Sequence, residues 1–372
     1  MLPFVYAPLR TPTNGNDVPD SLPFVLDIDW KTGTLVQVPD KIVTEALSKA
    51  YLRGSTITGT MDEDGIGRQY AEDFLLFLKQ SLGLVRFDGK RVLEIGCGTG
   101  YLLHRLKLLG ADVLGVEPGV HGQEGSKRFH IPIIRDFFPS AKIDGKFDLI
   151  ILFGVLEHIG SLSSFLPHLP VHLKENGRIA VSVPDCSPYI EVGDISMLTC
   201  EHYNYYTETS LRNSTRMHMK SDINVRRSSF GGCLYAITTN PISQPVVSKV
   251  DCTGYRHLAE SAIGRFLDYL KCTLKGESIG IYVPARAINV LSVIREKIDL
   301  SKIRFFDDNT LLHGTYFPGF DIPIESRLEL IEKPPDRVLI MSRTFGDSIA
   351  KQLRSSFEVT TWEDLFGLQS GG

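Results

Sequence analysis

The sequence has no apolar run approaching the ~20 residues that cross a bilayer, so no membrane helix is expected. It has no basic surplus: 40 Lys and Arg stand against 44 Asp and Glu, a formal net charge of −4. A general nucleic-acid binder is excluded on that ground, because neutralising phosphates needs such a surplus. The cysteines, at 97, 186, 200, 233, 252 and 272, form no CxxC pair, which argues against a zinc knuckle or a disulfide framework. The start, MLPFVYAPLRTPTNGND, lacks the basic stretch and apolar core of a secretory signal. A reducing cytoplasm is the expected compartment. Repeats and low-complexity tracts are absent too.

What is present reads as a multi-domain globular chain. Its 372 residues exceed one ordinary core, and 42% hydrophobic with 23% charged residues is an ordinary globular balance. The first forty residues are rich in Pro, Asn, Asp and Gly, with short runs such as LPFVLDI and GTLVQV that read as small strands. Apolar residues at 42, 43, 46, 47, 50 and 51 form a helical stripe closed by Gly54. A second amphipathic helix is expected over 65–82, with Ile66, Tyr70, Phe74, Leu75 and Leu78 inward. From Arg91, the runs RVLEIG, ADVLGVE, IPII, FDLIILF and GRIAVSVP alternate with helical stretches at 100–109, 121–129 and 160–174. Strands apolar on both faces and separated by helices predict a parallel sheet covered on each side. The stretch SDINVRRSSFGGCLYAITTN predicts an antiparallel pair appended to it. After a helix at 257–274, a second alternating unit runs from SIGIYVP through KIRFFDD and RVLIMS to FEVTT. The expected fold is α/β: a small N-terminal domain (1–62), a central Rossmann-like domain (63–250), and a helix leading into a second, Rossmann-like C-terminal domain (251–372).

The chemistry concentrates after the first of those strands. VLEIGCGTG (92–100) sets a buried strand before a turn with Gly96, Gly98 and Gly100, where the backbone can bend sharply and approach a ligand. Dinucleotide-binding folds use a similar turn. Here, however, Glu94 precedes it, which is awkward for a pyrophosphate but suits a cationic methionyl moiety. Glu117, before Pro118 at the end of the next strand, is placed to accept both ribose hydroxyls. Asp136 follows IPII, within reach of an adenine amino group, with Phe137 or Phe138 against the ring, and Phe153 to Glu157 end the fourth strand near the expected sulfonium. In order and spacing these segments resemble the motifs of class I S-adenosylmethionine-dependent methyltransferases, which implies S-adenosylmethionine as cofactor.

Two more segments narrow the resemblance. CEHYNYYT (200–207) and FDDNTLLHGTYFPGFDIPI (306–324) are similar to segments of the sugar C-methyltransferases that act on nucleotide-linked ketosugars. That resemblance covers most of the chain from about Leu22. It implies a small-molecule acceptor, a nucleotide sugar, with Glu201 and His202 carrying the catalytic base and His158 in the same site. The chain departs from the family in three places. No cysteine precedes Cys97, and Trp30 to Gly33 stand where a zinc-binding CxxCG is expected, so no metal is expected. Cys200 replaces the first histidine of HEH, and SIGIYVPARAIN lacks the usual GYGAxxK.

The residues support that chemistry independently. Methylating carbon requires removing a proton alpha to a carbonyl, and histidine is the side chain nearest neutrality for the task. The enolate then needs a donor, for which His158 or Tyr51 is a candidate. Packing is the competing role for Tyr51, Tyr205 and Tyr206. Arg226 and Arg227 are read either as diphosphate ligands or as a solvated strand end, and Asp307 and Asp308 either as nucleotide-hydroxyl acceptors or as a turn. Two other functions stay open: O- or N-methylation of another small molecule, and a non-catalytic protein that binds S-adenosylmethionine.

Overall fold

The computed structural model describes residues 1–15, 18–53, 66–242, 247–248, 252 and 254–367. After a short antiparallel pairing of Leu2–Pro3 with Ser21–Leu22 come a hairpin, β1 (Leu26–Asp29) and β2 (Thr34–Gln37), and helices α1 (Lys41–Arg53) and α2 (Ile66–Leu82). The hairpin turns through Trp30–Gly33, where Gly33 has φ 74° and the Thr32 hydroxyl donates to Asp29. On α2 the side chains of Phe74, Leu75, Phe77 and Leu78 are buried; Ile66, expected inward, is 47% exposed at the helix start. Gly54, the expected close of the first helix, lies outside the described residues.

The alternating region folds as predicted. Strand β3 (Arg91–Ile95), α3 (Tyr101–Leu108), β4 (Asp112–Val116), α4 (Val120–Phe129), β5 (Ile133–Ile134), β6 (Phe147–Phe153) and β7 (Leu173–Pro184) follow in order. The expected helix at 160–174 survives only as helical turns between 162 and 172, because Pro167 and Pro170 lack the amide hydrogens a continuous helix needs. Then come β8 (Asn204–Tyr205), α5 (Glu208–Met219), β9 (Ser221–Arg227) and β10 (Cys233–Pro241). The main sheet has the order β9-β10-β7-β6-β3-β4-β5, with β7 to β5 parallel and the β9–β10 pair antiparallel at one edge. Alternate residues feed two cores: Val92, Leu149 and Ile151 join one, and Leu93, Ile150 and Leu152 the other. Each fully buried side chain of that size contributes about 1.5–3 kcal/mol, which is why these positions are apolar on both faces.

Strand β8 belongs to a different sheet. It pairs antiparallel with β2, giving the order β8-β2-β1. Residues 25–186 and 201–252 therefore group as one compact unit, which cuts across the 62/63 boundary read from the sequence.

The other unit comprises residues 1–24, 187–200 and 253–372. It contains α6 (Tyr255–Thr273), β11 (Ile279–Tyr282), α7 (Ile288–Ile294), β12 (Ile303–Phe306), β13 (Ile324–Glu325), α8 (Arg327–Glu332), β14 (Arg337–Ile340), α9 (Gly346–Leu353), β15 (Glu358–Thr361) and α10 (Trp362–Phe366). Its five-stranded sheet is all parallel, ordered β13-β12-β11-β14-β15. Residues 1–24 join it because Tyr316 pairs with Leu9 and the Gly319 amide donates to Pro12. Where the glycine-rich turn is missing, Val283 occupies a left-handed conformation at φ 59°, a strained one for a β-branched residue.

Candidate active site

The loop after β3 is left-handed at three points, with φ of 68°, 53° and 76° at Gly96, Gly98 and Gly100. Side chains are excluded on steric grounds as well: a Cβ on Gly96 would lie 2.7 Å from Val155, and one on Gly100 2.5 Å from Ile131. Glu117 closes the loop from the end of β4, its carboxylate accepting the amides of Gly98 (3.0 Å) and Gly119 (2.7 Å). Pro118 sits between Glu117 and Gly119.

Glu94 has 0% exposure, and neither carboxylate oxygen has a partner among the described residues. Burial above all, and then the Glu117 charge, hold its carboxyl well above the usual range. An orphaned buried acid beneath a bent glycine loop fits a ligand that brings positive charge and N–H donors, as the methionyl end of S-adenosylmethionine does.

The adenine side is more weakly defined. Asp136 accepts from Ser140 and pairs with Lys142 at 3.1 Å, and these contacts hold its carboxyl below the usual range. Phe137 is 47% exposed and lines a cleft. The ring of Phe153 is taken up by the core, 4.9 Å from that of Phe74.

The catalytic candidates meet because one segment is clamped onto another. After β6, residues Leu156–His158 form a short 3-10 turn. The Tyr203 amide donates to the Glu157 carbonyl (2.6 Å), and the Asn204 side chain donates to the carbonyls of Leu156 (3.0 Å) and Ile159 (2.8 Å). Pairing of β8 with β2 fixes the same segment from its other side. The result places the His158 and His202 rings edge to face with centroids 4.7 Å apart. Tyr51, from the last turn of α1, reaches His158 Nδ1 at 3.0 Å.

Hydrogen bonding decides the tautomer of His158. Its Nδ1 lies 2.9 Å from the Glu201 carbonyl oxygen, which can only accept, so Nδ1 carries the proton. Tyr51 can therefore only accept at that nitrogen, which leaves its own hydroxyl proton for another oxygen. Desolvation lowers the His158 pKa to about 4 and raises that of Tyr51 well above the usual value, so both are neutral at pH 7. Glu157 is 4% exposed with Oε2 unpartnered, and burial raises its pKa to about 8. Glu201 is buried.

A cleft of about 390 Å³ opens over this cluster, lined among others by Thr44, Leu47, Ser48, Tyr51, Phe137 and His158. The sequence reading missed Thr44, Ser48 and the clamp Asn204. The α1 pair was discoverable, since 44 and 48 share one helix face with Tyr51.

The remaining charged candidates have structural partners. Arg226 stacks 4.9 Å over Phe77 and donates to Gln80, while Arg227 pairs with Asp185. Tyr205 and Tyr206 are buried. Asp308 accepts from Tyr282 (2.6 Å) and Arg327, which makes it part of a local ion-pair network.

Residues 66–216 match the methyltransferase-domain family, and residues 258–362 match the C-methyltransferase C-terminal domain. Curated relatives include the ubiquinone biosynthesis O-methyltransferases of Bradyrhizobium diazoefficiens (36% identical over 100 residues, 25% of this chain and 40% of that protein) and Rhodopseudomonas palustris strain HaA2 (30% over 112 residues, 28% and 44%). The chain thus spans less than half the length of those relatives. Among solved structures, the N-methyltransferase NodS of Bradyrhizobium japonicum is similar at 15% identity and TM-score 0.38, covering 48% of this chain and 99% of that one. Sheet order, loop and domain match together make residues 66–216 a class I methyltransferase domain with S-adenosylmethionine as its cofactor.

Proposed function

We propose that this chain is an enzyme that methylates a carbon alpha to the carbonyl of a nucleotide-linked ketosugar. The observation that carries the reading is the pairing of His202 with the His158–Tyr51 couple at 4.7 Å and 3.0 Å, beside the glycine loop. Bound S-adenosylmethionine supplies an electrophilic methyl group on sulfur. Glu94, the loop glycines, Glu117, Pro118, Asp136, Phe137, Phe153 and Glu157 are the residues assigned to hold it, Phe153 through its backbone.

His202 takes the proton from the acceptor carbon. The free Tyr51 O–H donates to the oxygen on which negative charge develops, and His158 holds that phenol in place through Nδ1. Glu201 fixes the His158 ring through its carbonyl. The match of residues 258–362 to a domain named for C-methyltransferases favours carbon as the acceptor atom.

A second reading, O-methylation, is favoured by the ubiquinone O-methyltransferases among the relatives. There His202 would deprotonate a hydroxyl instead. Transfer of labelled methyl to a panel of nucleotide ketosugars, followed by NMR of the product, decides between them. A new carbon–carbon bond is expected, and a methyl ether would replace the first reading with the second.

A further inference from the structure

Glu157, His158 and His202 each bring one ligand atom within 4.8 Å of the other two. Two imidazoles and one carboxylate are a donor set for Zn²⁺ and for several other first-row divalent ions, with one or more positions left open. The structure prepares each ligand differently. The Oε2 of Glu157 is buried and without a partner among the described residues. His158 has its Nδ1 proton committed to the Glu201 carbonyl at 2.9 Å, which leaves the Nε2 lone pair available. Metal-binding histidines are oriented in this way by an outer carbonyl. The His202 ring stands at 83° to that of His158 and does not stack flat on it. The clamp from Tyr203 and Asn204 onto the 156–159 turn holds the two ligand-bearing segments in register.

We propose that Glu157, His158 and His202 bind one divalent transition-metal ion of the Zn²⁺ class, and that metal binding and methyl transfer exclude each other. The ion occupies the His202 imidazole that would otherwise receive the acceptor proton. The first half stands on geometry alone; the second rests on the role assigned to His202 above.

The test uses the full chain, stripped of metal by a chelator and dialysed. Titration with Co²⁺ should give visible d–d absorption saturating at one equivalent and displaced by Zn²⁺. His158→Asn, His202→Asn and Glu157→Gln should each weaken Co²⁺ binding at least about tenfold, while His257→Asn, on the exposed face of α6, leaves it unchanged. Binding of S-adenosylhomocysteine by His202→Asn shows that the fold survived. Unchanged Co²⁺ affinity in folded His202→Asn or Glu157→Gln overturns the site. This arm needs no acceptor, so failure of the sugar reading leaves it intact. Zn²⁺ should inhibit methyl transfer competitively with the acceptor, with an inhibition constant at least about tenfold higher in Glu157→Gln. Activation by Zn²⁺ would overturn the exclusion and make the ion a participant.

Discussion

Replacing Glu157 with Gln should stabilise the protein, because the native state keeps this carboxyl protonated against its intrinsic tendency. Burial raises its pKa from 4.5 to about 8. The folded state therefore holds a proton that the unfolded chain releases above pH 4.5. Stability from this group is fully present below 4.5 and is lost as pH rises toward 8. At pH 7 the loss spans 2.5 pH units, or about 3 kcal/mol at roughly 1.4 kcal/mol per unit.

His158 acts with the opposite sign. Its pKa is lowered to about 4, so its contribution is lost as pH falls from 6.5 toward 4. Between pH 4.5 and 6.5 the two slopes cancel, and above 6.5 Glu157 alone remains, removing about 1.5–2 kcal/mol by pH 8. Glutamine keeps the shape of the acid and cannot ionise. Glu157→Gln should be about 3 kcal/mol more stable at pH 7 and lose nothing from this position between pH 6.5 and 8. Glu94, raised by the same physics, is common to both proteins and cancels in the difference. Urea unfolding followed by circular dichroism, without cofactor, at pH 5.5, 6.5, 7 and 8 makes the comparison. Parallel pH curves for the two proteins would refute the argument that burial keeps Glu157 protonated in the folded state.

Other expectations follow from single contacts. Glu117→Ala should weaken S-adenosylmethionine binding by about 1.5–3 kcal/mol, read by calorimetry, and unchanged affinity removes Glu117 from the site. His202→Asn should keep cofactor affinity and lower turnover by about 10²–10⁴-fold; near-normal turnover on the true acceptor would discard the base assignment. Tyr51→Phe should lower kcat more than it alters cofactor affinity, since only the developing charge uses its proton, and an effect confined to cofactor affinity moves Tyr51 to the cofactor side. Gly100→Val should destabilise the loop by at least about 1–3 kcal/mol, because φ is 76° and the new Cβ would meet Ile131 at 2.5 Å; an unaltered urea midpoint would mean that the loop adopts another conformation.

Much of this protein is legible along the chain because its causes are local. Strands β3, β4 and β6 follow from short, largely apolar runs, and the bend after β3 from glycines at 96, 98 and 100, since backbone conformation and two-sided burial depend on neighbouring residues. The position of Glu94 and Glu117 follows from the same periodicity: each stands at or near the end of a strand, where a parallel sheet gathers its ligands. Pro167 and Pro170, which interrupt the expected helix at 160–174, were visible too, and their effect is equally local.

Tertiary structure decided what the cleft contains. Residue 202 lies 44 positions after residue 158, and no periodicity links them; the pairing of β8 with β2 and the Asn204 bonds to the 156–159 turn bring them together. The proton on His158 Nδ1 is likewise decided by a carbonyl 43 residues away. The protonation of Glu157 depends on how much water the fold removes from it, and the sequence carries no direct measure of desolvation. The sequence by itself determined the methyltransferase scaffold and the glycine bend after its first strand. Which side chains converge and which tautomer they adopt are long-range consequences of packing, and only the folded chain decides them.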